Sequence, residues 1–285
     1  MNITINGKPA DITLDTEKTL GDVLAGIEQW VSSLGSRIRE ISVNGQVVQD
    51  DALSLAFGKE LTGIKKLDIA LYSYRELAGE ALSMLSDTCA LYGSAAFDER
   101  PQISGGWEKS AAAQFLRTDI PDMYELAGRT FAGEGLSAQG LGAVIEERLW
   151  EITSPAQEIA GCETAVKTTA ERMQELPLDI QTGKDQRAAE TIQRFSGTAE
   201  KLFRLFFILK SEGLSLDAFT IDALPVRAFM DEFNTALTEL SAAYENKDTV
   251  LVGDLSEYEL APRLVKFFSA LKKHSQAPQE FVSTP

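Results

Sequence analysis

The hydrophobic periodicity of the chain changes once, close to residue 73. Before that point apolar residues alternate with polar ones, whereas from Tyr74 onward they recur every three or four residues. Alternation is typical of half-buried strands, and a spacing near 3.5 is typical of helices that pack side by side. We therefore predict an α+β fold with a small β-rich domain at residues 1–72, a larger all-α antiparallel helical bundle at 73–275, and a mobile tail at 276–285.

The first segment carries turn and capping signals between its apolar runs. Asn6-Gly7 and Asn44-Gly45 are typical two-residue hairpin turns, and Thr19 with Asp22 is a variant capping box that predicts the start of a helix. Gly35 is expected to end that helix. The predicted strands contain Ile3 and Ile5, Ile12 and Leu14, Ile41 and Val43, Val47 and Val48, and Leu67, Ile69 and Leu71. The expected order is strand, strand, helix, strand, strand, strand.

Three phrases in this segment carry a resemblance: ITINGKP at 3–9, TLGDVL at 19–24 and ISVNGQVV at 41–48. With the element order they resemble the β-grasp, or ubiquitin-like, fold of bacterial sulfur-carrier proteins and TGS modules. Sulfur carriers act through a free Gly-Gly terminus, but here the last strand runs on into residues 72–77 without one. β-grasp ferredoxins hold a cluster with four cysteines, and this segment has none. The resemblance therefore implies a recognition surface rather than sulfur or redox chemistry.

Five helices are expected in the second segment, and their short links imply antiparallel neighbours. The predicted helices span residues 74–92, 138–175, 185–212, 224–245 and 248–273. Their breaks are predicted at Leu176–Asp179 with Thr182-Gly183, at Glu212–Ser215 and at Glu245–Asp248. Pro155 and Pro262 are expected to kink the second and fifth helices. Residues 93–136 are less regular, so we expect short helices and a loop there.

Apolar seams mark the faces that these helices should bury. The first predicted seam consists of Leu77, Ala81, Met84, Thr88 and Leu91, and the third of Ala188, Ile192, Phe195, Ala199, Leu202, Phe206 and Leu209. The apolar run 202–209 contains Arg204 and reads as a core helix. Near the end, ENKDTVLVGDL at 245–255 and EYELAP at 257–262 are similar to phrases in helical bacterial proteins that are uncharacterised.

The charge balance excludes several classes of partner. The chain has 27 Lys and Arg against 43 Asp and Glu, a formal net charge of −16. Such a field repels nucleic acids and anionic membranes. The N-terminus lacks a signal-peptide pattern, and no apolar run approaches the length of a membrane span. Cys89 and Cys162 are expected to be reduced, buried thiols. These features predict a cytoplasmic protein without nucleic-acid binding or membrane insertion.

The single histidine limits the catalytic chemistry of the chain. His274 follows two lysines at the end of the last helix, where a solvated cation is expected, so Ser-His and Cys-His catalysis are not predicted. The acidic clusters lack the Glu-x-x-His pairs of di-iron bundles and are expected to be solvated faces. These clusters are Glu146, Glu147 and Glu151, and Asp254, Glu257 and Glu259. Glu163 falls at a seam position, where Cys162 is expected to point inward instead.

Glycine-containing segments occur before and at the start of the second predicted helix, and another precedes Trp107. Gly133-Glu134-Gly135 and Gly140-Leu141-Gly142 lack the Lys-Ser/Thr of a phosphate loop, so we interpret them as turn and close-packing glycines. Trp107 follows two glycines in the irregular segment. It is the candidate partner contact, as an anchor, and its alternative role is a tryptophan that caps the bundle core.

The sequence thus predicts a non-enzymatic protein–protein interaction protein: an adaptor, scaffold or assembly chaperone. No catalytic residue, cofactor or metal is predicted. The expected partners are proteins, basic or amphipathic, and self-association is left open. One alternative is an enzyme or cofactor-binding protein with a carboxylate-based site in the bundle. Another is a nucleotide- or RNA-linked regulator by analogy with TGS modules, which the net charge disfavours.

Overall fold

The computed structural model describes residues 1–12, 17–33, 36–49, 55–211 and 219–276. The chain divides into two compact units, Met1–Ala78 and Gly79–Pro285. The first contains a mixed sheet and the second is mostly helical, which confirms the predicted α+β fold class. Several predicted features lie outside the described residues: the strand position Leu14, the helix end at Gly35, the turn at 212–215 and the tail from 277 onward.

The sheet unit contains five strands and a helix, α1, over Leu20–Ser33. Its strands are β1 (Asn2–Ile5), β2 (Lys8–Pro9), β3 (Ile38–Val43), β4 (Gln46–Val47) and β5 (Lys66–Leu71). They lie in the order β2-β1-β5-β3-β4, with β1 and β5 parallel and the other pairs antiparallel. The core between sheet and helix is built from Ile3, Leu20, Val23, Leu24, Ile27, Val31, Ile41, Ile64, Leu67 and Ile69.

The predicted turns and cap of this unit are confirmed. Asn6-Gly7 and Asn44-Gly45 both have positive φ at both positions, as a two-residue hairpin turn requires. Thr19 and Asp22 exchange the two hydrogen bonds of the capping box, at 2.9 and 3.3 Å. The backbone N–H groups of Thr19 and Lys18, which donate to the Asp22 carboxylate at 2.9 and 3.0 Å, lower the pKa of Asp22. The expected position of the second strand was wrong, because β2 pairs at Lys8–Pro9, directly after the first turn.

The second unit is built from α2 to α12, a short hairpin and a π-helical turn at Leu255–Leu260. The helices are α2 (Tyr74–Ser94, which begins in the first unit), α3 (Arg100–Glu108), α4 (Ala111–Asp119), α5 (Pro121–Phe131), α6 (Ala138–Thr153), α7 (Pro155–Gly161), α8 (Glu163–Gln181), α9 (Asp185–Ser211), α10 (Val226–Glu245), α11 (Thr249–Asp254) and α12 (Ala261–Gln276). The hairpin consists of β6 (Thr220–Ile221) and β7 (Leu224–Pro225). Residues 93–136 contain the expected short helices.

The prolines act differently from the predictions. The long helix predicted at 138–175 is divided into α6, α7 and α8, because Ser154 leaves the helical region directly before Pro155. The predicted turn at Leu176–Asp179 is wrong, because Pro177 lies inside α8, whereas the break predicted at Thr182-Gly183 is confirmed as the end of that helix. Pro262 was predicted to kink a single helix. The π-helical turn directly precedes it, and the wider turn accommodates a residue that lacks an N–H donor.

The core of the helical unit follows the third seam closely. Ala188, Phe195 and Leu202 on α9 are buried as predicted, within a cluster rich in phenylalanine. The register predicted for α2 was wrong in part: Met84 and Leu91 are exposed. The stripe that α2 buries instead consists of Leu77, Ala78, Ala81, Leu82, Leu85 and Cys89.

Candidate functional site

Two consecutive phenylalanines on α9 occupy different environments. Successive residues of a helix are about 100° apart around its axis. Phe206 lies on the buried stripe of α9, so Phe207 lies on a different face. Phe206 is 3% exposed and Phe207 is 55% exposed. The apolar run 202–209 predicted a core position for all its residues, and that prediction is wrong for Phe207. The sequence did contain a signal of this exposure, because Phe207 falls outside the seam formed by Leu202, Phe206 and Leu209.

Phe207 borders an apolar groove between α9 and α10 that we call the Phe207 groove. Its volume is about 370 Å³. It is lined by Phe203, Phe206, Phe207, Lys210, Val226, Arg227, Met230, Asp231 and Asn234. The size fits a few side chains of another molecule rather than a whole cofactor.

Aromatic contacts hold the floor of the groove in place. The Phe203 ring meets Phe233 edge-on at 5.4 Å between centroids and lies 5.1 Å from Phe267. The Phe206 ring contacts the same Phe267 at 5.9 Å. Such pairs add to the stability that burial provides. The groove is therefore a preformed surface whose exposed element is Phe207.

The rim of the groove carries two cations in a strongly acidic protein. The Lys210 ammonium lies 5.6 Å from the centroid of the Phe207 ring, and Arg227 is exposed on the opposite side. Among the described residues, neither has a carboxylate partner within salt-bridge distance. Asp231 and Asn234 complete the polar rim. These groups can pair with charges and hydrogen-bonding groups of an incoming chain.

One carboxylate of the predicted acidic face is buried, contrary to the expectation. Glu146 and Glu147 are exposed, but Glu151 is only 1% exposed. Arg204 donates two hydrogen bonds to Glu151, from Nε at 2.9 Å and from Nη2 at 2.8 Å. Burial raises the pKa of Glu151 to about 7 against the opposing charge of Arg148. A charge inside the apolar run 202–209 was the signal that a buried partner existed.

Two further ionic clusters connect the helices. Lys201 on α9 contacts Glu147 at 2.7 Å and Glu158 at 2.6 Å. Burial alone would lower the pKa of Lys201, but the two carboxylates raise it by a larger amount, so the pKa lies above its usual value. Asp179, which is buried, pairs with Arg172, Arg187 and Lys184 at 3.2, 3.2 and 3.5 Å.

These pairings show what the buried acids do. Glu151 and Asp179 are each paired with a guanidinium group of a neighbouring helix, so neither carboxylate is left without a partner. Within the described ranges, no three His, Cys, Asp or Glu side chains are grouped so as to hold a metal ion. Of the second acidic cluster, Asp254 is exposed as predicted, whereas Glu257 and Glu259 are half-buried and Glu259 pairs with Arg263.

The predicted solvated cation at His274 is wrong. The imidazole is half-buried and stacks on the buried Phe219 ring, with 4.4 Å between centroids. Burial, followed by the charge of Lys273, lowers the pKa of His274. The ring is therefore mainly neutral near pH 7 and acts as a packing group at the end of α12.

The predictions for the cysteines and Glu163 are confirmed. Cys89 and Cys162 are free and buried, and burial raises the pKa of Cys162 to about 11. Neither thiol is an activated nucleophile, since nucleophilic attack requires the thiolate. Cys162 points inward, and Glu163 is exposed beside Lys272 at 2.8 Å.

Trp107 does not lie on the surface as a partner anchor requires. Its side chain is 4% exposed within α3. The ring is thus packed inside the helical unit, which corresponds to the alternative of a core tryptophan. The two glycines before Trp107 were compatible with both interpretations, because they do not indicate whether the tryptophan side chain is buried or exposed. We therefore place the candidate partner contact at the Phe207 groove instead of Trp107.

No helix in the described part of the chain combines the length and apolar character that crossing a bilayer requires.

Comparison with known proteins gives similarity without an assigned activity. Residues 1–73 match a family described as the TP0873 N-terminal domain, and residues 159–269 match a domain of unknown function, DUF8042. An uncharacterized protein of Treponema pallidum (strain Nichols) is 22% identical over 263 residues, which cover 92% of each chain. No solved structure matches. The Phe207 groove lies wholly inside the DUF8042 match.

Proposed function

We propose that this chain is a non-enzymatic protein-recognition protein, an adaptor, scaffold or assembly chaperone, that binds an amphipathic helix of a partner protein in the Phe207 groove. The observation that carries the proposal is the exposure of Phe207 above a fixed aromatic floor. Helix-in-groove recognition requires such an apolar trough, into which residues spaced as i, i+3, i+4 and i+7 insert.

The contribution of Phe207 to the binding free energy can be estimated to an order of magnitude. Complete burial of a phenylalanine side chain stabilises by about 1.5–3 kcal/mol, and 55% of this side chain is exposed before binding. An aromatic side chain next to a preformed pocket is a typical hot spot, whose loss costs about 2 kcal/mol or more. That value corresponds to about a 30-fold weaker complex.

Charge defines the partner further. Lys210 and Arg227 at the rim favour a helix that places a carboxylate beside its apolar stripe. The chain as a whole has a net charge of −16, which accelerates the approach of partners that are basic overall. We therefore propose a partner with an apolar helical stripe, an acidic residue at its edge and a basic remainder.

The sheet unit is proposed as a β-grasp module that offers a second recognition surface. Its strand order and the parallel pairing of β1 with β5 support this assignment. The edge strands β2 and β4 are each two residues long, and an edge can accept a strand from another chain. Their shortness limits pairing to a few hydrogen bonds, so the groove remains the main proposed site.

The test compares two exposed positions. Partners are captured on wild-type protein and identified, and the affinity of each identified partner is measured by isothermal titration calorimetry for Phe207→Glu and Leu178→Glu. Leu178 is a matched control because it is 58% exposed and lies on α8, outside the groove. We expect Phe207→Glu to weaken binding about 30-fold or more and Leu178→Glu to leave it unchanged. Equal binding by both variants would refute the groove.

The carboxylate-site alternative is not favoured by Glu151 or Asp179, because both are engaged by arginine side chains. The cytoplasmic location and the exclusion of nucleic acids rest on the sequence alone. Light scattering on the purified chain decides whether it self-associates, and a dimer lost in Phe207→Glu would identify a second copy as the occupant of the groove.

A further inference from the structure

A second cavity lies in the helical unit, away from the Phe207 groove. It measures about 1050 Å³ and is open to solvent on one side. Its walls come from the second half of α2, the end of α5 and the first two turns of α6. This volume accommodates a metabolite of nucleotide size.

Thr130, at the end of α5, is part of the cavity lining and carries an unsatisfied polar atom. The residue is 3% exposed, and its Oγ1 has no hydrogen-bond partner within the described structure. Buried hydroxyl groups are normally paired, and an exception requires an explanation. The hydroxyl is closed to solvent in the cavity wall, and a bound molecule would supply the missing partner once the Thr130 side chain turns towards the cavity.

The start of α6 supplies backbone donors to the same cavity. Ser137 caps the helix by accepting a hydrogen bond from the N–H of Gly140 at 3.1 Å. The N–H groups of Ala138 and Gln139 precede the first intrahelical hydrogen bond and have no carbonyl partner within the helix. Gly133 and Gly135 have positive φ in the preceding loop. The positive end of the helix dipole at this point favours an anion.

Arginine side chains add charge to this end of the cavity. Arg100 belongs to the lining, and its guanidinium lies 5.2 Å from the centroid of the Tyr92 ring. Arg129 lies against the loop, since a Cβ added at Gly135 would be 3.5 Å from its Nη2. Within the described residues neither guanidinium has a carboxylate in salt-bridge contact. In a chain of net charge −16, two arginines without acidic partners, one in the cavity lining and one against the loop that precedes α6, favour an anion in this cavity.

The opposite end of the lining has the opposite charge. Glu146 is exposed and lies on α6, eight residues after Ala138. At about 1.5 Å per residue, the two positions are about 12 Å apart along the helix axis. A ligand that spans the cavity would place an anionic group at the helix start and a hydroxyl or amine donor at Glu146.

We propose that this cavity binds a phosphate ester of a small polar molecule, with the phosphate at the N-terminus of α6 beside Arg100 and the polar body directed towards Glu146. The site is one of binding rather than reaction. Cys89 also lines the cavity, but its Sγ donates a hydrogen bond to the carbonyl of Ala138 at 3.0 Å. The site is independent of the proposed partner groove.

The test is isothermal titration calorimetry of the full chain with inorganic phosphate, AMP, adenosine and acetate. We expect AMP to bind more tightly than inorganic phosphate, because only AMP carries a body that reaches Glu146. Adenosine and acetate should bind at least about tenfold more weakly than AMP. Phosphate without detectable binding would overturn the proposal, and acetate bound as tightly as phosphate would overturn the assignment to a phosphate ester.

Variants separate the two ends of the site. Arg100→Gln should weaken both inorganic phosphate and AMP about tenfold or more, whereas Glu146→Gln should weaken AMP and leave inorganic phosphate unchanged. Arg194→Gln is the control, because Arg194 is exposed on α9 and is not in the lining. Equal affinities in Arg100→Gln and Arg194→Gln would contradict the proposed site.

Thr130→Val provides a readout that a purely structural role would not give. The isosteric change removes the unpaired hydroxyl, so the ligand-free variant should melt at a higher temperature than wild type. At the same time, its AMP affinity should fall. Thr235→Val is the control, since the Thr235 hydroxyl is already bonded to the carbonyl of Asp231 at 2.9 Å. Unchanged AMP affinity in Thr130→Val would count against the proposed site, because the unpaired hydroxyl of Thr130 is the feature that points to a ligand there.

Discussion

Replacing Arg204 by methionine tests whether the Glu151–Arg204 pair holds α6 against α9. The change keeps much of the aliphatic stem but removes both hydrogen bonds to Glu151, which measure 2.9 and 2.8 Å. Glu151 is 1% exposed and would keep only Arg148, whose Nη1 lies 3.5 Å away. Breaking a buried pair costs about 3–5 kcal/mol, because the remaining charge is left unpaired. Because Arg148 stays nearby, we expect about 3 kcal/mol.

The loss should depend on pH in a defined direction. Without Arg204, the folded-state pKa of Glu151 rises further above its unfolded value, and folding then favours the protonated carboxyl. The folded state binds more protons than the unfolded state, so the stability of the variant falls as pH rises. The loss should therefore be largest near pH 8 and shrink towards about pH 5.

Urea unfolding followed by the helical circular dichroism signal measures both effects. The double variant Glu151→Leu with Arg204→Met is the control, because replacing both partners by apolar groups is often close to neutral. The double variant should therefore lose much less unfolding free energy than Arg204→Met alone. A loss below about 1 kcal/mol in Arg204→Met, or one that is the same from pH 5 to pH 8, would refute the assigned role of the pair.

Three further outcomes are expected. Phe206→Ala should lower the free energy of unfolding by about 3–5 kcal/mol, whereas Phe207→Ala should change it by less than about 1 kcal/mol; equal losses in urea titrations would contradict their different exposure. Since burial lowers the pKa of His274, its contribution to stability should be present above the unfolded pKa and lost as pH falls through the folded pKa; His274→Phe should remove that dependence, and an unchanged melting profile would oppose it. An isolated fragment of residues 1–72 should fold alone and give dispersed amide NMR signals, and collapsed signals would argue against an independent domain.

Local signals predicted the sheet unit well. The two Asn-Gly turns and the Thr19–Asp22 box depend on residues within a few positions of one another, so their geometry follows from local chemistry. The strand after the first turn was misplaced because alternation at Ile12 suggested a longer run than the two residues that pair. Edge pairing depends on the neighbouring strand, which periodicity does not report.

The helical unit shows where local signals are insufficient. The seam on α9 was predicted correctly because apolar residues recur over about six turns, but α2 buries Cys89 instead of Met84 and Leu91. Pro177 remains helical because tertiary packing overrides its propensity to break helices. Consistent with that packing, a Cβ added at Gly253 would lie 3.2 Å from the Pro177 ring.

The candidate sites were difficult to predict for a related reason. Glu151 and Arg204 are 53 positions apart, so their pairing is a property of the folded chain. Trp107 looked exposed because it follows two glycines, and Phe207 looked buried because its neighbours are apolar. In both cases the face of the helix, and not the composition of the segment, determines exposure.

Site-specific photo-crosslinking tests the central claim that the Phe207 groove binds a partner helix. A photoreactive phenylalanine derivative is placed at position 207 and, as the control, at position 178 in the full chain expressed in its native cells. We predict a discrete cross-linked product at 207 whose mass-spectrometric site lies in an amphipathic helix of another protein, and no such product at 178. The absence of a product at 207, or the same product at both positions, would contradict the account.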